Sequence, residues 1–136
     1  MYAVFRHFFT LPYARIIKEV SKSKGREKDM KADTVEFKEK NKTLTAAICC
    51  EIDHHTAKDL RERIDRELFI SRPNVLVMDF SGVGFMDSSG IALILGRAEC
   101  AGAVNASVIV TGLSESILKL IRISGVERIS NITVRS

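Results

Sequence analysis

Short apolar segments alternate with segments of helical periodicity along most of the chain, and this alternation limits the fold more than any other feature. The segments that predict strands are residues 35–38, 43–50, 74–79, 107–111 and 129–134. Helices are predicted over about residues 56–69, 88–102 and 114–125. Strands that alternate with helices of this length indicate an α/β fold with a largely parallel sheet.

Local signals mark where the predicted helices begin and end. Thr56 is followed three residues later by Asp59, a spacing typical of a capping box, so the first helix should begin at Thr56. It should end before Pro73, because the residue before a proline disfavours helical geometry. Ser114 is the expected cap of the third helix, and Gly125 its expected end.

The charge of the chain is concentrated at its beginning. Residues 1–29 contain seven Lys/Arg and three acidic residues, whereas residues 30–136 contain 14 of each. The remainder of the chain is therefore neutral. This balance argues against a basic surface for nucleic acid on the folded domain.

Residues 1–32 are predicted to form a leader that precedes a single domain at 33–136. Arg6 and His7 interrupt its apolar part, which argues against a signal peptide. Two interpretations remain: a basic amphipathic segment on a membrane surface, or a disordered tail or start-site artefact before a true start at Met30. The second is favoured, because the domain pattern begins just after Met30. No stretch approaches the ~20 apolar residues of a membrane span, so stable membrane association is not expected.

The cysteines and histidines do not have the spacing of a metal site. Cys49, Cys50 and Cys100 suit small buried side chains in a reducing compartment. His54 and His55 are adjacent, so their side chains diverge, and neither has a partner four residues away. We therefore expect no metal and no cofactor.

The segment most informative about function is residues 79–91, which pass from a buried strand through a loop into a helix. Asp87 and Ser88 are favourable cap residues, so Ser89 should lie in the first helical turn with its hydroxyl near solvent. A phosphate on Ser89 would meet free backbone N–H groups and the helix dipole, worth roughly 0.3–1 kcal/mol for an exposed charge. The helix should therefore tolerate phosphorylation.

A binding partner would respond differently to such a phosphate. Phosphoserine adds about −1.5 to −2 charge, here beside Asp87 and near Asp53, and would repel an acidic or apolar partner. The apolar residues 91–95 are either buried on both sides or exposed to a partner. Alone, however, Asp-Ser-Ser-Gly at a helix start is more typical of an ordinary cap and turn.

Two segments resemble a known family. Residues 79–90 closely resemble the phosphorylation-site segment of STAS-domain anti-sigma-factor antagonists, and residues 50–57 resemble that family's Gly-Glu-Leu/Ile-Asp segment. The His-His-Thr-Ala sequence and residues 94–97 are similar to its sporulation members, with the general stress-response members as nearest relatives. The resemblance covers about residues 33–134. It implies a single STAS domain, a small mixed sheet with its helices packed against it.

The resemblance also implies a function that depends on binding and not on catalysis. The unphosphorylated protein would bind the anti-sigma factor, a serine kinase, in the cytoplasm and so release the sporulation sigma factor. Phosphorylation of Ser89, or less readily of Ser88, would abolish this binding, and a protein phosphatase would restore it. The residues expected to contact the partner are Asp53, Asp87, Ser88, Gly90, Ile91 and Ile94.

Two positions depart from the family pattern. Cys50 and Ala92 each stand where the family usually has glycine. Both substitutions are small, so the fold should be unaffected, but both lie near the expected docking surface. A second pathway also stays open, because an antagonist in general stress signalling would use the same chemistry on another partner.

Other function classes fit the sequence poorly. A serine hydrolase would need Gly-x-Ser-x-Gly and a histidine after the serine, whereas every histidine here precedes Ser89. A phospho-aspartate receiver would need an acidic pair and a lysine at other strand ends, but Asp53 is alone and Thr111 ends the later strand without a lysine. Nucleotide binding has no phosphate-cradling loop to support it.

Overall fold

Five strands and three helices make up residues 34–135, the part of the chain that the computed structural model describes. The strands are β1 (Val35–Lys40), β2 (Thr43–Ile48), β3 (Val75–Asp79), β4 (Ser107–Thr111) and β5 (Ile132–Val134). The helices are α1 (His54–Ser71), α2 (Ser88–Ala103) and α3 (Glu115–Ser124), and a short 3₁₀ turn follows at Val126–Arg128.

The sheet has the order β1-β2-β3-β4-β5. β1 pairs antiparallel with β2 through a tight turn at Asn41 and Lys42, which both have positive φ, of 51° and 64°. This geometry suits a two-residue hairpin. The other neighbouring pairs are parallel. Right-handed connections between parallel neighbours place all three helices on the same face of the sheet.

The core lies between that face and the helices. Side chains on β2, β3 and β4 alternate between buried and partly exposed, as expected of a sheet covered on one side. The buried core residues of the helices are Leu60, Ile64 and Leu68 of α1, Leu93, Ile94, Ala98, Cys100 and Ala101 of α2, and Ile117 and Ile121 of α3. α1 and α2 also pack against each other, so their relative position is fixed by the same core.

The α/β class, the order of elements and the mixed, mostly parallel sheet are confirmed. The predicted strand at 107–111 matches β4, Ser114 caps α3, and Gly125 ends it in the left-handed conformation. The predicted leader, residues 1–32, lies outside the described residues. Within residues 34–135 no helix is long and apolar enough to cross a membrane.

Several element boundaries differ from prediction, and three of the differences have a clear structural reason. α1 begins at His54, because Asp53 and not Thr56 is its N-cap. β2 ends at Ile48, two residues before Cys50. β5 begins at Ile132, since the 3₁₀ turn after Gly125 uses the preceding residues.

The loop that follows β3 packs tightly against the end of β4. Asp79 Oδ1 accepts hydrogen bonds from the Ser81 backbone N–H at 2.9 Å and from the Ser81 hydroxyl at 2.6 Å. Gly112 lies against this turn with a φ of +75°, and a Cβ there would lie 2.7 Å from Ser81 N. Only glycine therefore fits both the backbone conformation and the space at this position.

Replacing this glycine tests how firmly the loop is fixed. We expect Gly112→Ala to lower the free energy of unfolding by about 2 kcal/mol, from left-handed strain and the clash with Ser81. Gly96→Ala is the control: it lies in α2 with no atom near the added Cβ, and it should stabilise by about 0.5–1 kcal/mol. Urea denaturation measures both. A shift of both midpoints in the same direction would contradict the role assigned to Gly112.

Candidate functional site

A short parallel bridge joins the chain just before α1 to the chain just before α2. The Ile52 N–H donates to the Phe85 carbonyl at 3.0 Å, and the Asp87 N–H donates to the Ile52 carbonyl at 3.2 Å. Ile52 and Met86, the paired residues, are both buried. The bridge therefore brings the N-termini of α1 and α2 side by side.

The start of α1 is fixed by a capping box. Asp53 Oδ1 accepts hydrogen bonds from the backbone N–H groups of His55 and Thr56, both at 2.9 Å. In return, the Thr56 hydroxyl accepts a hydrogen bond from the Asp53 N–H at 2.9 Å. The hydrogen bond from the Thr56 backbone is the main reason that the pKa of Asp53 is lowered. Asp53 is therefore a fixed negative charge at this end of the helix.

The start of α2 presents two serines. Asp87 is the N-cap, and its Oδ1 accepts a hydrogen bond from the Ser89 N–H at 2.8 Å. Ser88 is exposed and Ser89 is partly exposed. The Ser89 hydroxyl makes no hydrogen bond to another residue of the described range. It is free to react or to contact a partner.

The other predicted contact residues divide between surface and core. Asp53, Asp87 and Ile91 are partly exposed beside the serines. Gly90 is buried against Met86, whose side-chain atoms would overlap a Cβ at this position. Ile94 is 0% exposed.

The expected partner-contacting set is therefore corrected. Gly90 and Ile94 are removed from it, because neither reaches the surface, and their role is to pack the start of α2. The apolar segment 91–95 is neither fully buried nor fully exposed: Leu93 and Ile94 face the core, whereas Leu95 is exposed.

The cysteines also differ from one another. Cys100 is buried, as predicted, but Cys50 is half-buried and Cys49 is exposed, since β2 ends before them. Burial is the main cause of a raised pKa for the Cys50 thiol. Among residues 34–135 no three His, Cys, Asp or Glu side chains are grouped so that they could bind a metal ion.

Phe85 is a surface residue that the sequence patterns did not single out. Its side chain is 52% exposed, although its carbonyl takes part in the bridge to Ile52. The bridge fixes the backbone and leaves the ring in solvent, next to Asp87. A signal was present in the sequence, because a large aromatic residue stands in a glycine-containing loop two residues before the Asp-Ser-Ser-Gly motif.

A groove of about 340 Å³ runs between α1 and α2 and begins at Ser89. The side chains that line it are His54, Ala57, Lys58 and Arg61 from α1, and Ser89, Ala92, Leu93 and Arg97 from α2. None of these described residues is acidic, so the groove is basic. Sequence reasoning missed it, because its cations come from two helices that are distant in sequence.

A buried ion pair lies at the inner end of this groove. Arg97 Nε is 2.6 Å from Asp65 Oδ1, and the two residues are 3% and 8% exposed. Burial raises the pKa of Asp65 to about 6, although the Arg97 guanidinium and the Cys100 thiol act in the opposite direction. Arg97 Nη1 is also buried and has no hydrogen-bond partner among the described residues.

Comparison with known proteins gives a consistent result. The sequence profile of the STAS domain matches residues 34–135. An anti-sigma F factor antagonist of Lysinibacillus sphaericus is 31% identical over 83 residues, which cover 61% of this chain and 71% of that protein. The match to the family profile spans both serines at the start of α2.

Two solved structures are similar over most of the described range. The anti-sigma factor antagonist SpoIIAA in its unphosphorylated form has 25% identity and a TM-score of 0.63, covering 75% of this chain and 88% of its own. The Bacillus cell fate determinant SpoIIAA in its phosphorylated form has 25% identity and a TM-score of 0.58, covering 75% and 91%. The same fold thus occurs in a protein solved with and without phosphate.

Because of the ion pair between α1 and α2, replacing Arg97 should lower the free energy of unfolding by an amount that depends on pH. In Arg97→Gln the buried Asp65 lacks its counter-ion, so we expect a loss of about 3 kcal/mol in the free energy of unfolding at pH 8. The pKa of Asp65, about 6 in the native protein, should rise further. A carboxyl group with a raised pKa contributes stability that is present at low pH and lost as the pH rises through that pKa. The loss in the free energy of unfolding caused by Arg97→Gln should therefore be smaller at pH 5 than at pH 8.

Urea denaturation of the native protein and Arg97→Gln at both pH values measures this difference. The double variant Asp65→Asn/Arg97→Gln is the control, since it removes the titrating group and should lose the extra pH dependence. Equal losses at pH 5 and pH 8 in Arg97→Gln would contradict the assigned role of the pair.

Proposed function

The chain belongs to the STAS domain family, and we propose that it is an anti-sigma factor antagonist that regulates by binding and not by catalysis. The observation that carries the proposal is the position of Ser89, in the first turn of α2 with an unbonded hydroxyl. The similar protein named an anti-sigma F factor antagonist supports the regulatory role. The phosphorylated and unphosphorylated forms of SpoIIAA support phosphorylation as the signal.

The proposed partner is an anti-sigma factor that is also a serine kinase. The unphosphorylated protein binds it in the cytoplasm and thereby releases the sporulation sigma factor. In the kinase reaction, the Ser89 oxygen attacks the γ-phosphorus of ATP, ADP leaves, and the hydroxyl proton passes to a base on the kinase. A protein phosphatase then hydrolyses the phosphoserine and returns the free hydroxyl.

The start of α2 can accept a phosphate without unfolding. Ser89 is the second residue of the helix, where backbone N–H groups and the positive end of the dipole favour an anion. The cap hydrogen bond uses Asp87 Oδ1 and the Ser89 backbone, so it does not depend on the Ser89 hydroxyl. Phosphorylation should therefore change the surface charge and leave the fold intact.

The docking surface consists of the exposed groups around Ser89. We define it by Asp53, Phe85, Asp87, Ser88 and Ile91. Phe85 is its apolar centre, and exposed aromatic residues often contribute much of the energy of an interface. The two carboxylates on either side of Ser89 give it a negative rim. A phosphate adds about −1.5 to −2 charge there and must lose water if the partner covers it, so binding should fail.

The sporulation pathway is favoured over general stress signalling, because the similar curated protein is named for the anti-sigma F factor. Mixing the chain with each class of anti-sigma factor bound to its sigma factor distinguishes the two pathways. Release of the sporulation sigma factor alone is the expected result. Release of only a stress sigma factor would assign the chain to the other pathway.

Ser89 is tested by mass spectrometry and binding. Incubation with the anti-sigma kinase and ATP should add one phosphate to the native protein, on the peptide with Ser89, and none to Ser89→Ala. Ser89→Ala should bind the kinase at least as tightly as the native protein in the presence of ATP, and Ser89→Asp about tenfold or more weakly. Ser88→Ala is the matched control and should still accept phosphate. Equal binding by Ser89→Ala and Ser89→Asp would contradict the interface mechanism.

Phe85 is tested with a control at the far end of the domain. We expect Phe85→Ala to weaken binding of the unphosphorylated protein by roughly 30-fold or more, a loss of about 2 kcal/mol typical of a central aromatic contact. Ile70→Ala is matched, because Ile70 is 57% exposed but lies at the opposite end of α1, about 25 Å away along the helix. Calorimetry gives both affinities. If Ile70→Ala reduced binding as much as Phe85→Ala, the docking surface would be misplaced.

A further inference from the structure

We propose that the phosphoryl group on Ser89 is bound by the protein itself, through Lys58 and His54 at the outer end of the basic groove. The inference rests on the proposed phosphorylation of Ser89 and adds a binding site for its product. Ser89, His54 and Lys58 line the same groove between α1 and α2. A phosphate attached to the Ser89 oxygen would therefore enter a space already lined by the Lys58 ammonium and the His54 imidazole.

The positions of these residues along the helices decide which cations can reach the phosphate. The bridge aligns the N-termini of α1 and α2, and Ser89 is the second residue of α2. His54 is the first residue of α1 and lies at the same level. Lys58 is one turn further and lines the same groove as Ser89; because helical side chains lean toward the N-terminus, its long side chain can reach back toward a phosphate on Ser89.

The two arginines of the groove lie further along the helices. Arg97 is eight residues after Ser89, about 12 Å along the axis, and is paired with Asp65. Arg61 lies a turn beyond Lys58. These two make the inner groove positive, whereas Lys58 and His54 start nearer to Ser89 along the helices.

Two carboxylates also lie near the start of the groove, and their charge opposes a phosphate there. Asp53 and Asp87 lie beside Ser89, as the caps of the two helices. Both accept hydrogen bonds from backbone N–H groups, which orient their oxygens toward the helix ends. Among the described residues, the groove side of Ser89 has basic, apolar and hydroxyl side chains and no carboxylate. A phosphate therefore gains by turning away from the carboxylates and into the groove.

This arrangement lowers the second pKa of the phosphate. Phosphoserine ordinarily changes from monoanion to dianion at a pKa of about 6. A neighbouring cation favours the dianion, so the pKa should be about 0.3–0.7 unit lower in the folded protein than in the unfolded chain, as expected of a partly exposed ion pair.

The test is a phosphorus NMR titration of protein that carries phosphoserine at position 89, introduced during translation. The folded native protein should titrate at a lower pH than the same chain in urea. Lys58→Gln should remove at least half of that difference. Lys119→Gln is the matched control, because Lys119 is an exposed lysine on α3 outside the groove, and its loss should leave the pKa unchanged.

Three outcomes would overturn the inference: the same pKa in folded and unfolded chains, a higher pKa in the folded protein, or equal effects of Lys58→Gln and Lys119→Gln. Circular dichroism confirms that both variants are folded. Because the phosphoserine is introduced without the kinase, the titration does not depend on the partner. Failure of the kinase to phosphorylate Ser89 would overturn the proposed function, while the titration would still decide whether the groove binds phosphate.

Discussion

The functional geometry depends on the parallel bridge between Ile52 and Met86. These residues are separated by a helix and a strand in sequence, yet two backbone hydrogen bonds join their segments. Both side chains are buried, so the bridge is protected from water and cannot shift without exposing apolar surface. It aligns the starts of α1 and α2, and so places the capping carboxylate of Asp53 beside that of Asp87. The pairing of Ile52 with Met86 therefore positions both the docking surface and the end of the groove at Ser89.

Further along the helix pair, α1 and α2 are held by a different kind of contact. Asp65 and Arg97 form a buried ion pair between the two helices. Such a pair contributes little net stability, because both ions lose their hydration, but the pairing distance is met at only one register of the two helices. The apolar bridge at the helix starts and the ion pair further along both restrict sliding of α1 against α2, and the groove between them keeps a defined width.

Sequence reasoning recovered what depends on neighbouring residues. The limits of β4 and the caps of α3 follow from local patterns, and the structure has them as predicted. The first cap was misassigned: Thr56 and Asp59 have the spacing of a capping box, but Asp53 and Thr56 have it too, and the bridge at Ile52 selects the earlier pair. Likewise, the burial of Ile94, the exposure of Phe85 and the basic groove depend on how α2 packs against its neighbours, which periodicity alone does not determine.

A phosphate on Ser89 would act in two directions at once. Toward solvent it adds negative charge to a surface that Asp53 and Asp87 already make negative. Toward the protein it meets the cations of the groove, so the fold gains a favourable contact at the moment the partner loses one. The docking surface and the groove meet at Ser89, and no rearrangement of the core is needed to connect them. A rigid domain can therefore have two binding states, because the change is in the charge at one atom and not in the conformation of the chain.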